Sequence, residues 1–373
     1  MKRVLVTGAT NIGKAGVATI VYKWGQCFDP KELVYDYLMQ SGLPGREFQE
    51  RIESKGGRMF TMASEKRGPF TIIKWVTQII IENRYDTMHI NSDSAYLAAA
   101  YIYAGKRGGI KRFFVHSHCS QIDDTNKLRR YIKILFHYVF RSYICKNSNK
   151  YLACSKEAGL WMFGKRVYTD KYQLIYNGVE VERYLLSESK RTEYREKYSL
   201  SNKFVWGNIG RFSYQKNHDF LISLFKEYHN ANPNSTLVLI GTGELDKFVR
   251  QKVHSLNLDE SVLFLGLRDD IPQWLSTFDV LVMPSHFEGL PVTMIEAQMA
   301  SLPCVVSANI SKESQFTRNV EFVNGFEIAD WITAVENYRY VKREINKIEK
   351  EKSMFNIKNA AFSLQNILLN TNL

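Results

Sequence analysis

Two successive sets of short, continuously apolar segments constrain this chain most strongly. The first set is Arg3–Thr7, Thr87–Asn91, Arg112–His116, Tyr151–Ala153 and Gln173–Tyr176. A charged stretch, Glu188–Tyr198, interrupts the pattern. It then restarts at Phe204–Ile209, Thr236–Ile240, Val262–Leu265, Val280–Met283 and Cys304–Ser307. Strands buried on both faces read as unbroken apolar runs, and helix-like stretches between them imply parallel crossover units. With 373 residues the chain is too long for one typical core. The expected fold is therefore α/β, with two doubly wound, Rossmann-like domains over residues 1–185 and 186–355. They are joined near Asn177–Ser187. Ligands in such sheets sit beyond the carboxyl ends of the strands, so two facing sheets would place a site in a central cleft. After a charged run at Lys342–Lys352, an amphipathic helix at about 356–373 is expected to pack back on the first domain.

Charge narrows the partners. Lys and Arg total 50 against 38 Asp and Glu, a net +12 that favours phosphates, nucleic acid or an acidic membrane surface. Cys27, Cys119, Cys145, Cys154 and Cys304 are odd in number and form no CxxC, as expected of reduced thiols in a cytoplasmic protein. No leader pattern precedes the first strand, and no run of 18 apolar residues suggests a membrane span.

The stretch "GATNIGKA", Gly8–Ala15, approaches two phosphate-binding patterns and completes neither. A P-loop needs a Ser or Thr where Ala15 stands. The turn of short-chain dehydrogenases and epimerases has a glycine where Asn11 stands. The one Tyr-x-x-x-Lys pair, Tyr338 and Lys342, lies in the C-terminal tail. The stretch therefore reads as a glycine-rich turn, with Gly13 and Gly16 letting backbone approach a ligand or simply connecting strand to helix.

The second half is richer. In "GNIGRFSYQKNHDF", Gly210 turns the chain after a strand, and Arg211 and Lys216 project two cations just before a helix, a pattern suited to a diphosphate. In "LIGTGE", Gly241 and Gly243 leave space for a ligand. In "SHFEGLPVTMIEAQ", Pro291 suits the first position of a helix. Backbone N–H groups near Leu290, Val292 and Thr293 would then point at a phosphate. Glu296 would turn to neutral hydroxyls, such as a ribose, and Glu288 to another polyol. Alternatively, Thr293-x-x-Glu296 is a capping box and Glu288 plain surface.

Together these residues resemble the retaining GT-B glycosyltransferases of family 4, or group 1. The family's Glu, seven residues, Glu element reads "EGLPVTMIEA" at Glu288–Ala297, and "GRFSYQKN" and "YNGVEVERY" are similar to two further family elements. The segment Ser301–Glu313 and the "HSH" at His116–His118 look most like capsular and exopolysaccharide transferases of Gram-positive bacteria. The resemblance implies that Arg211 and Lys216 bind a donor diphosphate and that Glu296 holds ribose hydroxyls. Glu288 and the backbone of Gly289, Leu290, Pro291, Val292 and Thr293 would hold the sugar and phosphates. Backbone near Leu267 and Arg268 would meet the base. His118 is favoured as the first-domain active-site histidine, with His116 behind it. Departures fall at Ala300–Ser301 and Ala308–Asn309, where the family often has glycines. The resemblance further implies retained anomeric configuration, the leaving diphosphate taking the acceptor's proton, and stabilisation by Arg211, Lys216 and the helix terminus. There is no DxD motif, so no metal or other cofactor is expected. A UDP-sugar donor is favoured.

Lys127–Lys150 carries seven cations and no acid. Leu128, Tyr131, Ile132, Leu135 and Val139 share one helical face. Phe136 and Phe140 fall towards the cations. This suits an anionic membrane surface, at about 1 kcal/mol per basic residue, where a lipid-linked saccharide acceptor would be presented and the protein would associate peripherally. The rivals are an NAD-dependent nucleotide-sugar epimerase or dehydrogenase, and a basic module binding nucleic acid. No interleaved aromatic and basic motif supports the latter.

Overall fold

The computed structural model describes residues 1–10, 12–13, 16–40, 42–62, 69–343 and 354–370. Asn11, Lys14 and Ala15 of the glycine-rich turn, and most of the charged run at 342–352, lie outside them. The chain divides into two compact units. One comprises Met1–Ile122, Leu128–Gly178 and Met354–Leu373, the other Asp123–Lys127 and Val179–Ser353.

In the first unit the strands are β1 (Lys2–Val6), β2 (Leu33–Met39), β3 (Met59–Thr61), β4 (Thr87–Ser92), β5 (Arg112–Ser117), β6 (Lys150–Ala153) and β7 (Tyr172–Leu174). They form one parallel sheet in the order β3-β2-β1-β4-β5-β6-β7. The helices are α1 (Gly16–Cys27), α2 (Arg46–Ser54), α3 (Pro69–Asn83), α4 (Ala95–Gly108), α5 (Lys127–Asn147) and α6 (Lys156–Phe163). A C-terminal helix, Ile357–Asn370, packs on α1. Its Gln365 accepts from the Asp29 backbone N–H at 3.0 Å and donates to Glu32 at 2.6 Å, and Lys2 Nζ donates to its Leu368 carbonyl.

β2, β3 and a last strand of the second unit, Val320–Val323, were not visible as strands in the sequence. β2 reads LVYDYLM, with Asp36 in the middle of an apolar run. Asp36 is fully buried yet amply partnered. Arg3 donates to both its oxygens at 2.8 and 2.9 Å, the Arg58 N–H donates at 2.8 Å, and the Tyr85 hydroxyl at 2.5 Å. These partners come from other elements, so a local reading of the sequence does not find them.

In the second unit, β8 (Phe204–Ile209), β9 (Ser235–Ile240), β10 (Val262–Gly266), β11 (Val280–Met283), β12 (Cys304–Ser307) and β13 (Val320–Val323) form a parallel sheet. Its order is β10-β9-β8-β11-β12-β13. The helices are α7 (Glu188–Lys197), α8 (His218–Ala231), α9 (Asp246–Ser255), α10 (Ile271–Thr277), α11 (Val292–Met299) and α12 (Ile328–Glu336). Trp206, Phe225, Tyr228 and Trp331 are fully buried in its core. The carboxyl end of α10 leaves carbonyls without helical partners. Arg191 donates to those of Ser276, Thr277 and Phe278 at 2.9–3.0 Å, and Arg343 to those of Ser276 and Phe278 at 2.8 and 3.0 Å. Burial pushes the Arg343 guanidinium down to about 9.

Both strand orders reverse direction once, between β1 and β4 and between β8 and β11. Crevices at such reversals are where open α/β sheets bind ligands.

Asp36→Ala would strand the Tyr85 hydroxyl and the Arg58 N–H in the interior. It should lower the unfolding free energy of the first unit by about 3 kcal/mol, read in denaturant unfolding followed by near-ultraviolet dichroism.

Candidate functional site

The loops after β8 and β11 leave the second sheet side by side and are stitched together. Glu288 is the knot. Its Oε1 lies 2.6 Å from Lys216 Nζ and accepts from Ser285 Oγ at 2.9 Å, and its Oε2 accepts from Gln215 Nε2 at 2.9 Å. Gln215 Nε2 also donates to the Phe287 carbonyl at 3.0 Å, and the His286 N–H donates to the Gln215 carbonyl at 2.8 Å. The Tyr214 ring stacks on His286 with centroids 4.5 Å apart. Glu288 is buried and Lys216 nearly so. The plain-surface reading of Glu288 is therefore wrong.

The glycines correct another expectation. Gly241, at φ +138°, was expected to leave room for a ligand. A Cβ there would lie 1.9 Å from the Gly210 carbonyl oxygen, and one on Gly243 would lie 2.3 Å from that of Phe212. The space is filled by the β8 loop itself. These glycines let two loop backbones touch, and so fix where Arg211 and Lys216 depart. Arg211 is exposed and pairs with Glu244 at 3.0 Å, an interaction that solvent leaves weak.

α11 begins one residue later than expected. Pro291 is its N-cap rather than its first helical residue, and no side chain caps it, so the Thr293-x-x-Glu296 capping box does not form. The Met294 and Ile295 N–H groups donate to the Pro291 carbonyl. Those of Val292 and Thr293 have no partner among the described residues. Leu290, expected to join them, is buried and already engaged. Gly289 and Pro291 are buried beside it. Further along, Glu296 accepts from the hydroxyl of Tyr184, whose acidity is suppressed by burial first and by Glu296 second. Leu267 is exposed, and the Arg268 guanidinium is held by Asp270, with Nε at 2.8 Å.

In the first unit the corresponding reversal carries a buried imidazole cluster. Thr7 and Asn91 face each other across β1 and β4. The Asn91 N–H donates to Thr7 Oγ1 at 3.0 Å, and Asn91 Nδ2 donates to the Thr7 carbonyl at 3.0 Å. That second bond fixes the amide, so Asn91 Oδ1 accepts from His118 Nε2 at 2.8 Å. His118 sits just past β5 and carries its proton on Nε2. Gly8, at φ +83°, makes room: a Cβ there would lie 2.7 Å from that of Asn91. His116 lies wholly buried within β5, its ring stacked 4.3 Å from His118 and 5.0 Å from Trp24. His89, missed in the sequence, links Tyr35 (2.6 Å) to His116 (3.3 Å). Burial pushes His89 down to about 3 and His118 to about 4, and holds His116 well below its ordinary value. Nearer the surface, the Gly13 N–H donates to Thr19 Oγ1 at 3.1 Å, and a Cβ on Gly13, at φ +81°, would meet the Phe48 ring. Gly16 opens α1 with open space around its Cβ position.

Sequence reading found Lys216, Glu288 and Glu296. It missed Gln215, Ser285, Tyr184, His89 and Asn91. Gln215 and Ser285 stood inside stretches already singled out, but nothing local marked them as partners of Glu288.

Residues 190–362 match the family of glycosyl transferases group 1. Over those residues the chain is similar to the group 1 glycosyltransferases. It is 29% identical over 316 residues to EpsF of Bacillus subtilis (strain 168), covering 84% of this chain and 80% of EpsF. It is 29% identical over 257 residues to the Escherichia coli UDP-Gal:alpha-D-GlcNAc-diphosphoundecaprenol alpha-1,3-galactosyltransferase, covering 67% of this chain and 64% of that enzyme. The crystal structure of Anabaena HepE in complex with UDP-glucose superimposes over all of this chain and 96% of HepE, with a TM-score of 0.72 and 19% identity. The shared fold is GT-B. An NAD-dependent epimerase is not favoured by these matches.

The buried histidines carry a pH prediction. Their folded-state values lie below the ordinary 6.5, so the unfolded chain binds more protons between the two. Stability is then full above about pH 6.5 and falls as the pH drops towards about 4. Thermal melting followed against pH should show this loss, with His89→Gln flattening it.

Proposed function

We propose that this glycosyltransferase moves a sugar from a nucleotide sugar, a UDP-sugar favoured, to a saccharide acceptor in the building of a cell-surface polysaccharide, with retention of configuration. The observation that carries this reading is the Lys216–Glu288 pair beside the unpartnered N–H groups of Val292 and Thr293. A cation and a helix N-terminus both attract phosphate. A fixed carboxylate next to them accepts hydroxyls.

The roles follow from this. Lys216 and the exposed, loosely paired Arg211 take the diphosphate. Glu288 is held in place by Lys216, Gln215 and Ser285. Its fixed carboxylate suits a hydroxyl of the transferred sugar, held with the backbone of Gly289–Thr293. Glu296 binds the ribose; its present partner, the Tyr184 hydroxyl, is a donor of the same kind. Backbone at Leu267 and Arg268 meets the base, and in the first unit Gly13 and Gly16 let backbone approach a ligand. His118 serves the acceptor side, with His116 packed behind it. In the reaction the bond from the anomeric carbon to the leaving phosphate oxygen breaks, and a bond to the acceptor oxygen forms on the same face. The acceptor's proton passes to the departing diphosphate. The protein stabilises that charge with Arg211, Lys216 and the α11 terminus. No cofactor is assigned a step.

The acceptor is proposed to be lipid-linked and met at the inner face of the cell membrane through the basic segment 127–150. The E. coli relative's name specifies a diphosphoundecaprenol-linked substrate, which supports this. Among the described residues no helix is long and apolar enough to cross a membrane.

A panel of nucleotide sugars, scored by nucleotide release with membrane extract present, identifies the donor. With it, Lys216→Ala should lower kcat by about a hundredfold. Glu296→Ala should mainly raise the donor KM. Normal transfer by both variants would refute the assignment.

A further inference from the structure

The turn that carries Lys216 is a short 3-10 helix, Tyr214–Lys216, with Ser213 at its N-cap. The start of any helix leaves backbone N–H groups without intrahelical partners. A serine at the N-cap ordinarily takes the N–H two or three residues on. Ser213 has the extended backbone of an ordinary N-cap, φ −135° and ψ 169°, yet its side chain makes no cap. The Gln215 N–H donates instead to Asp123 Oδ1 at 3.0 Å, a carboxylate 92 residues away in the chain.

Asp123 reaches the turn on an excursion of the backbone. Residues up to Ile122 and from Leu128 belong to the first unit, while Asp123–Lys127 belongs to the second. Ile122 is buried, and so is Asp124, whose Oδ1 accepts from the Asn126 N–H at 2.9 Å. That bond is an Asx turn, which gives the excursion a shape of its own. Asp123 is half-buried. Ordering this segment to supply a cap that a neighbouring serine could supply costs conformational entropy. The stability of the turn alone does not account for the arrangement; the position of the turn does.

What the cap holds is a junction. The Gln215 carbonyl accepts from the His286 N–H at 2.8 Å, and its Nε2 donates to the Phe287 carbonyl at 3.0 Å and to Glu288 Oε2 at 2.9 Å. The next residue is Lys216, whose Nζ lies 2.6 Å from Glu288 Oε1. Asp123 therefore adds a third segment to the two loops already stitched together at Gln215.

We propose that Asp123 is a positioning residue for the Lys216 turn: it caps Gln215 from outside the loop, so that Lys216 and Glu288 meet a nucleoside diphosphate in a fixed arrangement. The segment between β5 and α5 is then a working part of the donor site. The assignment deepens the donor site proposed above and rests on that reading for the identity of the ligand. The cap needs an oxygen acceptor and not a charge, which separates it from proton transfer. An asparagine side chain also accepts an N–H, but it does not take a proton from an acceptor hydroxyl.

The test compares the full chain with Asp123→Ala, Asp123→Asn and Lys216→Ala by two readouts. One is amide hydrogen exchange in the peptide containing Gln215, without ligand. The other is UDP affinity by titration calorimetry. Asp123→Ala should speed exchange at the turn and weaken UDP binding by about fivefold, the worth of one cap, at an unchanged melting temperature. Asp123→Asn should restore both. Unchanged exchange in Asp123→Ala would overturn the proposal. So would faster exchange with UDP affinity unchanged, where Lys216→Ala weakens it. A loss in Asp123→Asn as deep as in Asp123→Ala would assign the role to the charge and overturn the cap. A lowered melting temperature with faster exchange throughout the second unit would make Asp123 a structural residue only, and also overturn it. If Lys216→Ala leaves UDP binding intact while Asp123→Ala still frees the turn, the donor reading fails and the positioning of the turn stands.

Discussion

One carboxylate holds the second unit's site together. Glu288 gathers Lys216, Gln215 and Ser285, and so joins the loops after β8 and β11 into one surface. A buried ammonium or carboxylate alone would shed its charge or its position. Paired, each gains a fixed direction. The loops meet where the strand order reverses, so the sheet gives the crevice and Glu288 gives its rigid wall. Gly241 and Gly243 fix the β8 loop from its other side, since any side chain on them would push the β9 loop away from the backbone at Gly210 and Phe212.

Much of this was legible in the chain, and what was legible had a local cause. Buried parallel strands are unbroken apolar runs, so ten of them could be read directly. β2 could not, because Asp36 breaks its pattern and its partners lie in other elements. The same distinction runs through the site. Glu288 and Glu296 stand out by spacing around Gly289 and Pro291. The pairings do not, because Lys216 lies 72 residues from Glu288 and Tyr184 comes from the segment before α7. Gly241 could be read as special, but not why: an absent side chain marks a close approach without saying whether ligand or backbone approaches.

The first unit shows how far a local reading reaches. His116 and His118 were visible as a pair, with His118 placed at the strand end and His116 behind it, but what each touches was not. His116 and His118 share one face, both beside Trp24; His116 lies within β5, while His118 passes the strand end and meets Asn91. His89 joins them only because β4 and β5 are neighbours. What sets the proton on His118 is Asn91, and what orients Asn91 is Thr7, just past β1. Three strands therefore decide the state of one ring.

The first unit is also discontinuous in the chain, since its last segment begins at Met354, after the whole of the second unit. That segment supplies Gln365 to Asp29 and Glu32, and a carbonyl to Lys2. Gly178, where a Cβ would lie 2.5 Å from the Ile357 Cα, packs against its start. During synthesis on the ribosome, the first unit's sheet emerges before the second unit yet lacks this covering until the helix Ile357–Asn370 appears. The second unit, continuous but for five residues, can close while the first still waits. The order of completion thus runs opposite to the order of translation.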